Sequence, residues 1–446
     1  VNKLENKPKG LTAWNLTTMA LGCVIGASFF LGSSVAISSA GPSIIISYIL
    51  GGGLVYLILF ALSEMTVASP KVGSFRAFAA QQFGQGTGFV VGWIYWTGMV
   101  LAMSSEATAI AILVRQWYPV SIGLLASIII VIVTLLNLLG AHRLSKIESV
   151  FAGVKFFTIV FFIVMAILLI FGIIINTPIG LGELLNEPFM PRGIKGIAGS
   201  MLIVIFSYAG FEIIGLAASE AEKPKETIPR AITYTVLLLV GTYILYVAVL
   251  LPLVPTAELN ENISPIVASL SRWGINWMGT VINIVLISAI FSTMLASVFG
   301  LGRMMRSLSY EGYTPKFCLD NTDVPYRGIL FSGVAMLAGL GLGSFFPRVY
   351  LFLISSGGFS ILFSYLIIVA THMKFRKKNG CPPDGKCQMP GYPVTSWIAL
   401  VSIIAIILSM PLIKGQGTGL FVGLGLLVLF ILIYHLVKKR RNKKAK

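Results

Sequence analysis

The chain has 446 residues, 56% of them hydrophobic and 11% charged, with a formal net charge of +17. So little charge over that length excludes a soluble globular protein, and apolar runs of about 20 residues recur from end to end, as bilayer-spanning helices require. The basic excess would suit a nucleic-acid binder, but its placement excludes one: of the 33 Lys and Arg residues only Arg115, Arg192, Lys195, Arg272, Arg348 and Lys414 fall on the side away from the N-terminus once the spans are drawn. Lys155 lies within a span. This is the positive-inside pattern, which predicts both termini in the cytoplasm and the tail Lys438 to Lys446 against anionic lipid.

The pattern predicts an all-α polytopic membrane protein of about twelve spans. They fall near residues 14–39, 41–66, 86–114, 119–141, 147–176, 195–221, 229–254, 277–307, 327–346, 348–371, 394–413 and 417–437. The first apolar segment is long and followed at once by another, so no cleavable signal peptide is expected. Thr12 caps the first span, with Trp14 at the interface. In its middle stands Gly22-Cys23-Val24-Ile25-Gly26-Ala27-Ser28. Two glycines four apart either break the helix, leaving backbone groups exposed around a protein-lined cavity, or form a packing face between intact helices. The second span carries the packing patch Gly51-Gly52-Gly53 and ends at Glu64, and a loop is expected over 68–75.

The third span holds Glu106. A mid-membrane carboxylate costs on the order of 2.5 to 3.5 kcal/mol on insertion scales, so it needs a partner or a cavity, as a structural hydrogen bond or as a functional group. Lys155 on the fifth span either snorkels to the inner surface or is held inside the bundle, where a lysine takes and releases a proton. The sixth span matches the first: Phe206-Ser207-Tyr208-Ala209-Gly210-Phe211-Glu212 is a second interruption with a second acid. Paired interruptions five spans apart point to a midplane site between inverted repeats, and they favour the broken-helix reading of the first span. The eighth span carries Ser288, Ser292, Thr293 and Ser297, hydroxyls that usually bond back to their own helix. Ser355-Ser356-Gly357-Gly358 in the tenth span reads as close packing or a flexible gate. The last two spans read as periphery. Cys381 and Cys387 fall in an inside loop where thiols stay reduced, and with His372 they make at most three ligands, so no metal site and no cofactor is expected.

Two broken helices suit a zwitterion. The half-helix resuming at Gly26 to Ser28 offers N–H groups and a positive dipole end to a carboxylate. The ends near Leu21 to Cys23 and Phe206 to Tyr208 offer carbonyls to an ammonium. Each dipole contributes roughly 0.3 to 2 kcal/mol.

The chain resembles the amino acid, polyamine and organocation transporter superfamily, in its bacterial amino-acid permease branch. The matching stretches are Gly22 to Ser33, Glu64 to Phe75, Gly88 to Trp96, Glu106 to Ala109, Phe206 to Glu212, Ala218 to Ala231 and Gly302 to Lys316. The resemblance implies two inverted five-helix repeats, 11–176 and 195–371, with helices 1 and 6 broken. Around them it implies a cytoplasmic tail over 1–10, a cytoplasmic loop over 372–393, peripheral helices over 394–437 and a basic tail over 438–446. It implies that Leu21, Cys23, Val24, Ile25, Gly26, Ala27 and Ser28 bind substrate together with Phe206, Ser207, Tyr208, Ala209 and Gly210, and that Phe206 is the occluding gate. Lys155 matches the lysine that stands where related transporters hold sodium, which implies proton coupling through Lys155, Glu212 and Glu106 with Ser292 or Thr293 beside the lysine. Ser28 replaces a glycine usual in the family, and this implies a smaller pocket. The expected function is import of neutral L-amino acids across the plasma membrane by proton symport. An amino-acid or amine exchanger is the alternative in transport, and a membrane amino-acid receptor the alternative outside it. No nucleophile–base pair suggests an enzyme.

Overall fold

The computed structural model describes residues 10–69, 75–212, 214, 221–320, 322, 324–381, 388–413 and 415–444. Outside them lie Lys3, Lys7 and Lys9, most of the expected 68–75 loop, the continuation of the sixth span and Cys387. The first expected span is three helices: α1 (Ala13–Val24), α2 (Ala27–Phe30) and α3 (Gly32–Ala40). Then come α4 (Ile44–Ala68), α5 (Phe75–Phe83), α6 (Gln85–Val114), α7 (Ile122–Asn137), α8 (Ala141–Ile170) and α9 (Gly193–Ser207). The second part holds α10 (Pro224–Leu250), α11 (Pro265–Arg272), α12 (Asn276–Tyr310), α13 (Tyr326–Gly343), α14 (Val349–Asn379), α15 (Val394–Ser409) and α16 (Gly417–Lys444).

Nine helical stretches among the described residues are long and apolar enough to cross a membrane, and Ile122–Asn137 and Gly193–Ser207 are shorter apolar helices. The number falls short of twelve because breaks shorten the first and sixth spans, because α7 is short, and because Ala27–Ala68 runs two spans together. Helix α5 lies where a loop was expected to end, since a stretch that cannot span can still fold as a short helix that buries Phe75, Arg76, Phe78 and Ala79, and α8 begins at Ala141 instead of 147.

Small residues set the closest approaches. A β-carbon on Gly51 would lie 2.8 Å from Val204 of α9, and one on Gly52 would collide with Val240 of α10, so α4 seats between those helices. A β-carbon on Gly357 would come 3.1 Å from the Gly98 carbonyl, and one on Gly358 2.9 Å from Leu202. Those two glycines pack α14 against α6 and α9. Thr12 caps α1 as expected, its hydroxyl accepting from the Asn15 N–H. Cys381 is disulfide-bonded. That corrects the expectation of a reduced thiol, which came from the compartment alone and carried nothing about the path of the loop.

Arg272 at the end of α11 meets Glu183 at 2.6 Å and Glu258 at 3.2 Å. The Asn186 amide, and after it the Arg272 guanidinium, hold the Glu183 carboxyl below its ordinary value of 4.5 against the opposing effect of burial. A depressed carboxylate stabilises the fold fully above its unfolded value, and that contribution is lost as pH falls through the lower folded value. Between about pH 5 and pH 3 the thermal midpoint of the wild type should therefore fall more steeply than that of Arg272→Ala, and equal slopes would remove the pair from the acid response.

Candidate functional site

The first break lies at Ile25 and Gly26. Both are extended, at φ −77°, ψ 100° and φ −138°, ψ −159°, and the helix resumes at Ala27. These angles are open to any residue, so Gly26 is required by space. A β-carbon there would lie 2.9 Å from both carboxylate oxygens of Glu106. Glu106, buried on α6, accepts from the Ala27 N–H at 2.9 Å, and the Ser28 N–H also bonds to it. A carboxylate at the start of a helix meets unpaired N–H groups and the positive end of the dipole.

The opposite end of the break carries a cation. Lys155 on α8, 1% exposed, donates to the Gly22 carbonyl at 2.9 Å and to Thr293 Oγ1 at 2.6 Å. The Thr293 hydroxyl meets the Ile25 carbonyl at 3.0 Å. Lys155 therefore lies inside the bundle instead of snorkelling. Thr293 is its hydroxyl neighbour, while Ser292 is buried on the same helix. The Leu21 carbonyl takes the Ile25 N–H at 3.3 Å. Val24 and Ile25 are buried, and Leu21 and Cys23 are half-buried.

The second break comes after α9. The chain turns through 208–212, with Gly210 at φ 108°, a left-handed conformation that favours glycine. Its N–H donates to Glu212 Oε2 at 2.8 Å, and the Tyr365 hydroxyl donates to Glu212 Oε1 at 2.5 Å. The two breaks touch. A β-carbon on Gly210 would sit 3.1 Å from the Cys23 carbonyl, and Ser207 Oγ donates to the Ser28 carbonyl at 3.1 Å. Phe206 is buried, and its ring comes 3.7 Å from where a Gly358 β-carbon would stand. Ala209 is half-buried in the turn.

Aromatic residues surround these breaks, the expected Tyr208 among them, and of these Tyr243 was not singled out by the sequence pattern. Tyr208 donates to the Tyr48 carbonyl at 3.2 Å and Tyr243 to the Ser207 carbonyl at 3.1 Å, while the Phe29 ring stacks on Tyr243 with centroids 4.2 Å apart. The available signal for Tyr243 was position: a phenol in the middle of an apolar span needs a polar partner. Tyr365 on α14 carries the same signal.

Helical spans interrupted side by side, with their exposed backbone ends facing one another, make up the architecture of a membrane transporter. The chain belongs to the amino acid permease family, whose sequence profile matches residues 15–446. It is 31% identical over 462 residues to amino-acid permease RocC of Bacillus subtilis (strain 168), covering 100% of this chain and 98% of that one. It is 30% identical over 446 residues to the gamma-aminobutyric acid permease of the same organism, with 98% and 95% covered. With the aromatic amino acid transport protein AroP of Escherichia coli O6:H1 it shares 29% over 453 residues, with 99% and 98% covered. Amino-acid transport by a multi-pass plasma-membrane protein follows from this membership, and the relatives are transporters, not enzymes.

Proposed function

We propose that this permease imports neutral L-amino acids by proton symport, alternating access around the two breaks, with both termini in the cytoplasm and two inverted repeats over 11–176 and 195–371. The observation that carries the reading is the pairing of the buried charges. Lys155 lies on the carbonyl end of the first break, Glu106 on its N–H end, and Glu212 on the N–H of Gly210 and on Tyr365. A substrate with a net charge would find each candidate counter-charge already engaged, whereas a zwitterion balances itself. Two of the relatives are named for gamma-aminobutyric acid and for aromatic amino acids, molecules of that kind.

Glu106 also supports the coupling. Its carboxylate holds the N–H groups that a substrate carboxylate would use, so protonating it releases them. Lys155, linked to the same break through Gly22 and Thr293, serves as the group that passes the proton on when the carbonyl end rearranges. Glu212 plays the matching part at the second break. Phe206, packed where the breaks meet α14, closes over the substrate.

The test is uptake of labelled amino acids into proteoliposomes, run as a competition panel, with and without an inward proton gradient and with empty or preloaded lumens. Concentrative uptake into empty vesicles under the gradient is the expected result. Flux only into preloaded vesicles, indifferent to pH, would make the protein an exchanger and leave Lys155 a structural role.

A further inference from the structure

We infer that Glu64, Arg376 and the segment Gln388 to Tyr392 form a latch that holds the expected cytoplasmic end of the bundle shut and must release in each transport cycle. The inference rests on the transport reading above.

Glu64, on the last turns of α4, is 0% exposed. Arg376 of α14 donates to its Oε1 at 2.5 Å, and the N–H groups of Gln388 and Met389 donate to Oε2 at 3.2 and 3.0 Å. The neighbouring Ser63 hydroxyl donates to Gln388 Oε1 at 2.7 Å. Arg376 in turn lies 4.6 Å over the Tyr392 ring and donates to Cys381 Sγ at 3.0 Å, while His372 Nε2 stands 3.6 Å from Glu64. One buried carboxylate of α4 thus gathers donors from the end of α14 and from the chain beyond it.

The position of that node separates it from ordinary packing. Helix α4 is seated by Gly51 and Gly52 against α9 and α10, the helices on either side of the second break. Helix α14 is seated by Gly357 against α6, which carries Glu106. The ion pair therefore ties α4 to α14, which Gly357 seats against α6 and Gly358 against α9, so it bridges two helices that both flank the breaks. A buried, charge-assisted pair is short-ranged and costly to leave half made, so it opens in one step instead of stretching. The ends of α4 and α14 border an open cavity of about 520 Å³ whose lining includes Ala68, Ser69, Lys378 and Phe375, the chain neighbour of Arg376.

Cys23, half-buried in the last turn of α1, reports on the opening. In proteoliposomes of known orientation, a membrane-impermeant maleimide would be applied to either face and alkylation of the Cys23 peptide followed by mass spectrometry. Arg376→Gln should raise the rate from the expected cytoplasmic face by about tenfold and leave the other face unchanged, with Arg376→Lys in between. Tyr392→Leu, which removes only the ring under the guanidinium, should give a smaller rise in the same direction and serves if Arg376→Gln does not fold. An unchanged rate in a monodisperse variant would overturn the latch. If the wild type shows no proton-driven uptake while the rates still respond, the symport reading fails and the latch, which any alternating-access cycle needs, stands.

Discussion

Gly26→Ala should lower substrate affinity by about 100-fold, roughly 2.7 kcal/mol, while expression and monodispersity stay at wild-type levels. The added methyl group meets no torsional obstacle, since Gly26 is extended. It meets the two oxygens of Glu106 at 2.9 Å, so the carboxylate must shift off the Ala27 N–H or α6 must move away. Either movement reshapes the end of the break proposed to take the substrate carboxylate. Shortening the acid in Gly26→Ala/Glu106→Asp should recover part of the affinity, because the oxygens retreat by one methylene. Binding by isothermal calorimetry on the purified chain checks both variants. If Gly26→Ala is lost as a folded protein instead, the glycine serves packing between helices and the substrate role falls.

Lys155→Ala should abolish gradient-driven accumulation and leave counterflow between equal pools within a few-fold of wild type. The ammonium bonds the Gly22 carbonyl and Thr293 Oγ1, so its removal leaves that carbonyl without the ammonium in the bundle, at about 1 to 3 kcal/mol, while the hydroxyl keeps its carbonyl partners. The break itself should survive, since Thr293 still meets Ile25 and Glu106 still holds Ala27. Uptake at a series of imposed pH differences separates the two parts of the prediction. Uptake that still responds to the pH difference as in the wild type would defeat the coupling role, and a loss of counterflow as well would assign Lys155 to the architecture of the break.

The breaks were legible because glycine interruptions and intramembrane charges are rare enough in apolar spans to be noticed one by one. Gly26, Gly210, Glu106, Lys155 and Glu212 all announce themselves in this way. Which donor meets which acceptor was not legible. That Glu106 turns to Ala27 while Glu212 turns to Gly210 and Tyr365 depends on how α6 and α14 pass the breaks. That passage is set by Gly98, Gly357 and Gly358, whose spacing gives no partner. Glu64 and Arg376 were harder still, because 312 positions separate them and each alone reads as an ordinary residue at the end of a span. Helix α5 was missed because a polar stretch after a span marks where the membrane ends and leaves the conformation of the chain beyond it open.

The Ser207 hydroxyl bonds to the Ser28 carbonyl, and the Ser207 carbonyl is itself held by Tyr243. The two interrupted spans are therefore fastened in series to α10, with the Cys23 carbonyl and Gly210 in backbone contact alongside. Mechanically they form one lever, with the Ser207 hydroxyl as its joint: a displacement at either break has a direct hydrogen-bonded path to the other.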